Sequence, residues 1–311
     1  MSIVCMGEVL IDFVALESGV TVGEASGFVK APGGAPANVC VAAARLGMQA
    51  AFLGQVGDDP FGHHLADVLA AEGIDVRGLR FSSVARTMLA FVSLRADGER
   101  SFSFYRNPSA DMLMTPDDVA YDLIDDKRIF HYGSITMITE PSRSALLAAL
   151  RYARERGLLI SYDPNLRLSL WPDAETARAG MLAGLEYATL LKVSEEELEF
   201  LAGGSDPAPL WRDGMRAIVV TRGSAGSALY TRGLHLEASG FAVEAVDTTG
   251  AGDGFVAGLL TGVLEHGLDD ETRLVETLRF ANAVGAITTT KKGAIPALPT
   301  RAQVTAFLEQ H

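Results

Sequence analysis

From residue 125 onward, short apolar runs alternate with longer helix-prone ones, and this alternation restricts the fold more than any other feature. Residues 128–132, 158–163, 188–193 and 217–221 read as strands, while 142–156, 174–185, 195–201, 251–266 and 271–288 read as helices. A helix between successive strands is the crossover that parallel pairing requires. The expectation is therefore an α/β fold, a mostly parallel sheet with helices on both faces. At 311 residues the chain fits one large domain of this kind or two ordinary ones. No internal repeat, low-complexity tract or convincing linker divides it, and the Gly/Pro/Ser-rich stretch 202–209 is short enough for a loop.

The N-terminal third is organised differently. Residues 3–14 form an apolar run containing Gly7, Glu8 and Asp12, read as one buried strand with Asp12 at its end. Pro32-Gly33-Gly34-Ala35-Pro36-Ala37-Asn38 breaks the pattern. A small-residue helix over 39–46 closes at Gly47, a strand covers 50–57, and a helix covers 61–72. Between 87 and 105, two β-prone runs flank Arg95-Ala96-Asp97-Gly98-Glu99-Arg100, where Asp97-Gly98 is a hairpin signal.

Charge and cysteine usage exclude several functions. The chain has 39 Asp and Glu against 26 Lys and Arg, a net charge of −13, with no basic block. General nucleic-acid binding, which draws its affinity from cations on phosphates, is disfavoured. Hydrophobic residues at 48% with 21% charged residues indicate a globular chain, not a disordered one. Cys5 and Cys40 lie in apolar segments and read as buried free thiols, as a reducing cytosol allows. The first cationic residue is Lys30, so the basic start of a signal peptide is missing. No uncharged apolar run approaches the ~20 residues of a membrane span. A cytoplasmic protein without a membrane partner is expected.

Four segments carry residues suited to chemistry. In Val246-Asp247-Thr248-Thr249-Gly250-Ala251-Gly252-Asp253-Gly254-Phe255, two glycines flank Ala251 just before an apolar helix. Backbone N–H groups there, with the positive end of the helix dipole, would form an anion hole. Asp253 in the first turn would accept a proton from an attacking hydroxyl. The same spacing also fits an ordinary Gly-rich turn with Asp at a helix start. The second segment, Thr221-Arg222-Gly223-Ser224-Ala225-Gly226 after a strand, would suit nucleotide phosphates, although it is neither a P-loop nor G-x-G-x-x-G. The third joins Asp12 to Gly33, Gly34 and Asn38, the donors and acceptors that sugar hydroxyls need, or simply a strand end and a helix start. The fourth pairs Asp163-Pro164-Asn165-Leu166-Arg167 with Lys192-Val193-Ser194-Glu195-Glu196-Glu197, both at strand C-termini where open α/β sheets bind ligands. Glu197 would anchor the water shell of Mg²⁺ there; Glu195 and Glu196 read as a solvated helix start. The adjacent His63 and His64 would point to different faces of a helix, which is poor metal geometry.

Together these segments resemble the PfkB (ribokinase-like) family of carbohydrate kinases, nearly end to end. Residues 32–38 are similar to that family's N-terminal signature, and 247–253 match its C-terminal one. Residues 104–112, 130–134 and 163–167 read like fructokinase sequence. The resemblance implies a ribokinase-like three-layer sandwich over 1–311, with a small β lid contributed by about 13–31 and 86–106. It also implies transfer of the ATP γ-phosphate to the 6-hydroxyl of D-fructose.

Position by position, the resemblance makes Asp253 the catalytic base and Gly250, Ala251 and Gly252 the anion hole. It places Asp12, Gly33, Gly34 and Asn38 against the sugar, with Phe104, Arg106 and Arg167 also on the substrate side. Lys192, Thr221, Gly223, Ser224 and Gly226 would face the ATP phosphates, and Asn282 the adenine. The family's Asn-x-x-Glu magnesium motif falls on Ser194 to Glu197, so Glu197 keeps the acid while Ser194 replaces the Asn. A K⁺ site would involve Asp247, Thr249, Thr288, Lys291 and Gly293, mostly through backbone carbonyls. The partners implied are a sugar, ATP with Mg²⁺, and a second copy in a homodimer through open lid edges. Two alternatives stand beside fructose: 2-keto-3-deoxygluconate, whose carboxylate Arg106 or Arg167 would meet, and a non-catalytic paralogue that binds sugar or a protein.

Overall fold

The computed structural model describes residues 1–94 and 100–311, so the expected turn at Asp97-Gly98 lies outside the described residues. In chain order the strands are β1 (Ser2–Met6), β2 (Leu10–Ser18), β3 (Phe28–Gly33), β4 (Gln49–Gly57), β5 (Asp75–Ser82), β6 (Leu89–Leu94), β7 (Arg100–Tyr105), β8 (Ile129–Tyr132), β9 (Leu159–Tyr162), β10 (Leu190–Ser194), β11 (Ala217–Thr221), β12 (Ser227–Tyr230) and β13 (His235–Ala238). The helices are α1 (Ala35–Arg45), α2 (Pro60–Ala71), α3 (Asp122–Asp125), α4 (Ser142–Glu155), α5 (Ala174–Gly184), α6 (Glu195–Ala202), α7 (Ala251–His266), α8 (Glu271–Thr288) and α9 (Arg301–Gln310).

Among the described residues, the large sheet has nine strands in the order β13-β12-β11-β10-β9-β8-β1-β4-β5. Pairing is parallel from β11 to β5; only β12 and β13, at one edge, are antiparallel. Both faces of this sheet are covered. Along β1, Ile3 and Cys5 enter one core with residues of α1, α7 and α8, whereas Val4 and Met6 enter the other with residues of α4, α5 and α6. Each fully buried aliphatic side chain contributes about 1.5–3 kcal/mol. The strands therefore read as continuous apolar runs because alternate residues face different cores. The α/β ribokinase-like architecture is the one that forms.

A second sheet, with order β3-β2-β6-β7, stands apart from the first. β2 pairs antiparallel with β3 and parallel with β6, and β6 pairs antiparallel with β7. One expectation is corrected here. The apolar run 3–14 is not one strand: β1 ends at Met6, and β2 begins at Leu10 in the other sheet. A Cβ at Gly7 would lie 2.5 Å from Pro36 Cγ, so the chain leaves the large sheet where a side chain has no room. Asp12 consequently lies inside β2, not at the end of the first strand. A run of apolar residues cannot mark such a change of sheet, because both strands are buried where they meet. Both cysteines are free and buried. Among the described residues no helix is long and apolar enough to cross a membrane.

Candidate active site

The site is built on two helix N-termini that the fold brings together. Gly250 caps α7 with φ +79°, and a Cβ there would lie 2.8 Å from Ala294 Cβ. Only glycine meets both demands without strain. No side chain caps α7, so the positive end of its dipole remains available to an anion. Asp253 lies in the first turn, half-buried, and its Oδ2 accepts a hydrogen bond from Asn38 Nδ2 at 2.8 Å. Burial raises the Asp253 pKa; the Asn38 bond and the charges of Lys192 and Arg167 oppose the rise without cancelling it. The result is a carboxylate more basic than a free Asp, as a proton acceptor requires.

Asn38 comes from α1, which begins at Ala35 after the cap residue Gly34 at φ +107°. A Cβ on Gly34 would lie 2.5 Å from the Glu8 carbonyl oxygen, and a Cβ on Gly33 would collide with Asp12 Oδ2. Asp12, Gly33, Gly34 and Asn38 are thus gathered on one side of Asp253. Asn38 Oδ1 is buried without a hydrogen-bond partner, an acceptor left open beside Asp253. Arg106 is placed differently from a free substrate contact. Its Nε donates to Asp111 Oδ2 at 2.8 Å, its Nη2 donates to the Ile135 carbonyl at 3.2 Å, and the ion pair is buried. Phe104 packs on the small cluster of Leu10, Met88 and Ala90.

On the other side of Asp253 lies a buried charge network. Lys192, on β10, donates to Asp163 Oδ2 at 3.1 Å and lies 3.9 Å from Glu197 Oε2. Its Nζ is 3.4 Å from where a Gly252 Cβ would sit, so the cation adjoins the Gly-Ala-Gly turn. Burial acts against the charged lysine, but Asp163 and Glu197 outweigh it and raise its pKa. Burial likewise pushes Asp163 up, against the pull of Lys192. Glu197 goes down despite burial, because Lys192 and the N–H groups of Ser194 and Leu166 favour its carboxylate. Those two N–H groups each donate at 2.8 Å, and Ser194 Oγ in turn accepts from Glu197 N. Ser194 therefore caps α6, which explains its presence in the motif. Arg167, Lys192, Ser194 and Glu197 line a cleft of about 230 Å³ with Asn165 and Leu166.

The remaining predicted residues form two adjoining groups. Ser194 and Thr221 are register partners on β10 and β11, which puts the Gly223–Gly226 turn next to that cleft. Thr221 Oγ1 donates to the Val193 carbonyl at 3.4 Å, and Ser224 is exposed. Asn282 joins this group through β13: its Nδ2 donates to the carbonyls of Ala238 and Ser239, against which Gly226 packs. The second group is the loop beside the Gly250–Gly252 turn. Asp247 Oδ1 accepts from Thr249 N and Oγ1, and Asp247 Oδ2 accepts from Gly293 N at 2.8 Å. Thr288 turns its hydroxyl onto the Val284 carbonyl, and Lys291 is exposed. Two buried carboxylates, Asp163 and Glu8, received no role from the sequence. Asp163 directly follows β9 and Glu8 lies two residues past β1, both beyond the C-terminal ends of buried strands, and that position was the available signal.

Comparison with known proteins agrees with this arrangement. Residues 1–301 match the family model described as pfkB family carbohydrate kinase. Probable fructokinase-2 of Arabidopsis thaliana is 53% identical over 314 residues, covering 99% of this chain and 95% of the relative. A crystal structure of fructokinase with bound ATP from Xylella fastidiosa matches with a TM-score of 0.91 at 36% identity, covering 99% of this chain and 98% of that one. A fructokinase double mutant from Vibrio cholerae O395, in a form with fructose, ADP and potassium ion bound, matches at 0.88 and 36% identity with the same coverage. With the family model matched over residues 1–301 and 53% identity to a relative along the whole length, the chain belongs to the pfkB family of carbohydrate kinases.

Proposed function

We propose that this protein is an ATP-dependent fructokinase that converts D-fructose and ATP to fructose 6-phosphate and ADP. The observation that carries the reading is Asp253, half-buried at the uncapped N-terminus of α7 and oriented by Asn38. The 6-hydroxyl oxygen forms a bond to the γ-phosphorus, the bond to the ADP oxygen breaks, and the hydroxyl proton passes to Asp253. Phosphoryl transfer is loose, so positioning and charge stabilisation matter most. Asp12, Gly33, Gly34 and Asn38 hold the sugar. The α7 N-terminus with Gly250, Ala251 and Gly252, and the adjoining Lys192, hold the charge that develops on the phosphoryl group. Thr221, Gly223, Ser224, Gly226 and Asn282 form the nucleotide side.

Mg²⁺ fits the donor set, because it keeps several waters and takes only one or two carboxylates. Glu197 is the buried carboxylate of the cleft and would hold the ion through water; bound there, Mg²⁺ neutralises phosphate charge. K⁺ fits the loop in which Asp247 ties Thr249 to Gly293, with Thr288 and Lys291 offering backbone carbonyls. The small sheet, with flanking residues spanning about 13–31 and 86–106, serves as a lid that excludes water from the γ-phosphate. Exposed Val14, Leu16 and Val29 share one face of that sheet and support a homodimer through it. The two free buried thiols suit the cytoplasm.

Fructose is favoured over 2-keto-3-deoxygluconate because Arg106 is already neutralised by Asp111. A panel of fructose, 2-keto-3-deoxygluconate, ribose and glucose with ATP, read by ADP release, tests the reading. Fructose should give the highest kcat/KM; a preference for the keto-acid would refute it.

A further inference from the structure

Glu8 follows β1 and precedes β2, where the chain passes from the large sheet to the small one. It is 2% exposed, and its Oε1 accepts the N–H of Ala35, the first residue of α1, at 3.1 Å. Its carbonyl oxygen closes the space beside Gly34. Glu8 thus holds the Gly33–Gly34 turn by both backbone and side chain. The other carboxyl oxygen, Oε2, is buried without a partner. The charged groups bearing on it are Asp111 and Arg106, and Arg106 directly follows β7. The Ala110 N–H donates to the Arg86 carbonyl at 2.8 Å, which ties the Asp111 turn to the segment leading into β6. The ion pair at the root of the small sheet therefore acts electrostatically on the same buried carboxyl group.

We propose that Glu8 is a positioning residue for the sugar subsite, coupling the Gly33–Gly34 turn to the root of the small sheet through the Arg106–Asp111 pair. This rests on the fructokinase reading above. A buried carboxyl group with one oxygen unpartnered calls for an explanation; held neutral, it leaves no unpaired charge in the interior. Burial, reinforced by Asp111, raises the Glu8 pKa to about 7. Below that pH the group is an uncharged peg that accepts from Ala35. Above it, a second buried negative charge faces Asp111 and loosens the turn.

The test is the Michaelis constant for fructose and for ATP in wild type, Glu8→Gln and Glu8→Ala, from about pH 6 to about pH 9. Glu8→Ala should raise the fructose KM about tenfold with the ATP KM within about twofold. Wild type should show a fructose KM that rises above about pH 7, and Glu8→Gln, permanently neutral, should lose that rise while keeping the wild-type KM at lower pH. An unchanged fructose KM in Glu8→Ala, or the same alkaline rise in Glu8→Gln, overturns the proposal. If Glu8→Ala does not fold, the Gln variant decides alone. Failure of wild type to phosphorylate fructose at all refutes the fructokinase reading instead; the same comparison is then run with the sugar that wild type does accept.

Discussion

At the scale of single residues, the site depends on burial offset by a few hydrogen bonds. Asn38 lowers the Asp253 pKa that burial raises. In Asn38→Ala that restraint is gone, so the acid limb of the kcat profile should move to higher pH; an unmoved limb would contradict the assignment. Lys192 stands between two buried acids, and removing one partner of a buried pair leaves an uncompensated charge. Lys192→Met should cost about 3–5 kcal/mol in urea unfolding and most of the activity. The sequence made Asp253, Asn38 and Lys192 legible because each lies in or beside a motif. Glu8 and Asp163 carry no such mark, since what distinguishes them is their surroundings. Local sequence does not show that Lys192 reaches Asp163 from the neighbouring strand region, or that the Arg106–Asp111 pair acts on Glu8.

At the scale of elements, α7 and α8 lie where the residue pattern put them, 251–266 and 271–288. Each has a clear start and enough length for the pattern to be decisive. The small strands were harder to read. β12 and β13 are four residues each and pair antiparallel at the sheet edge, with no crossover helix to announce them. The split between β1 and β2 was missed because burial is continuous across it. The turn that starts α7 yields the sharpest prediction at this scale. Gly250→Ala forces an L-residue into the left-handed region, at about 1–2 kcal/mol, and also meets Ala294. A lower Tm and a lower kcat should appear together; an unchanged Tm would contradict the tight turn. Arg45 braces the same region, with Nη1 donating to the Ile295 and Leu298 carbonyls at 2.7 and 2.6 Å while Glu72 holds the guanidinium. α1 therefore meets the α7 start through Asn38 and holds the 295–298 segment, beside Ala294, through Arg45.

At the scale of the whole molecule, an acidic protein has to bind an acidic nucleotide. The net charge of −13 rules out attraction by overall charge. Lys192 and Arg167 instead line one cleft, and Lys192 adjoins Gly252 at the α7 N-terminus. The small sheet adds an apolar face bearing Leu16, 63% exposed, and Val29, 56% exposed. If that face joins two copies, Leu16→Asp with Val29→Asp should convert a dimer to a monomer in sedimentation velocity; an unchanged sedimentation coefficient would place the interface elsewhere. The central claim is that Asp253 takes the proton of the fructose 6-hydroxyl as the phosphoryl group moves. Its most direct test is identification of the product by ³¹P NMR for wild type and Asp253→Asn, with fructose binding measured by calorimetry. Wild type should yield fructose 6-phosphate, and Asp253→Asn should still bind fructose while turning over about 10²–10⁴-fold more slowly. Near-normal turnover by Asp253→Asn, or a phosphate on a different hydroxyl, would contradict the account.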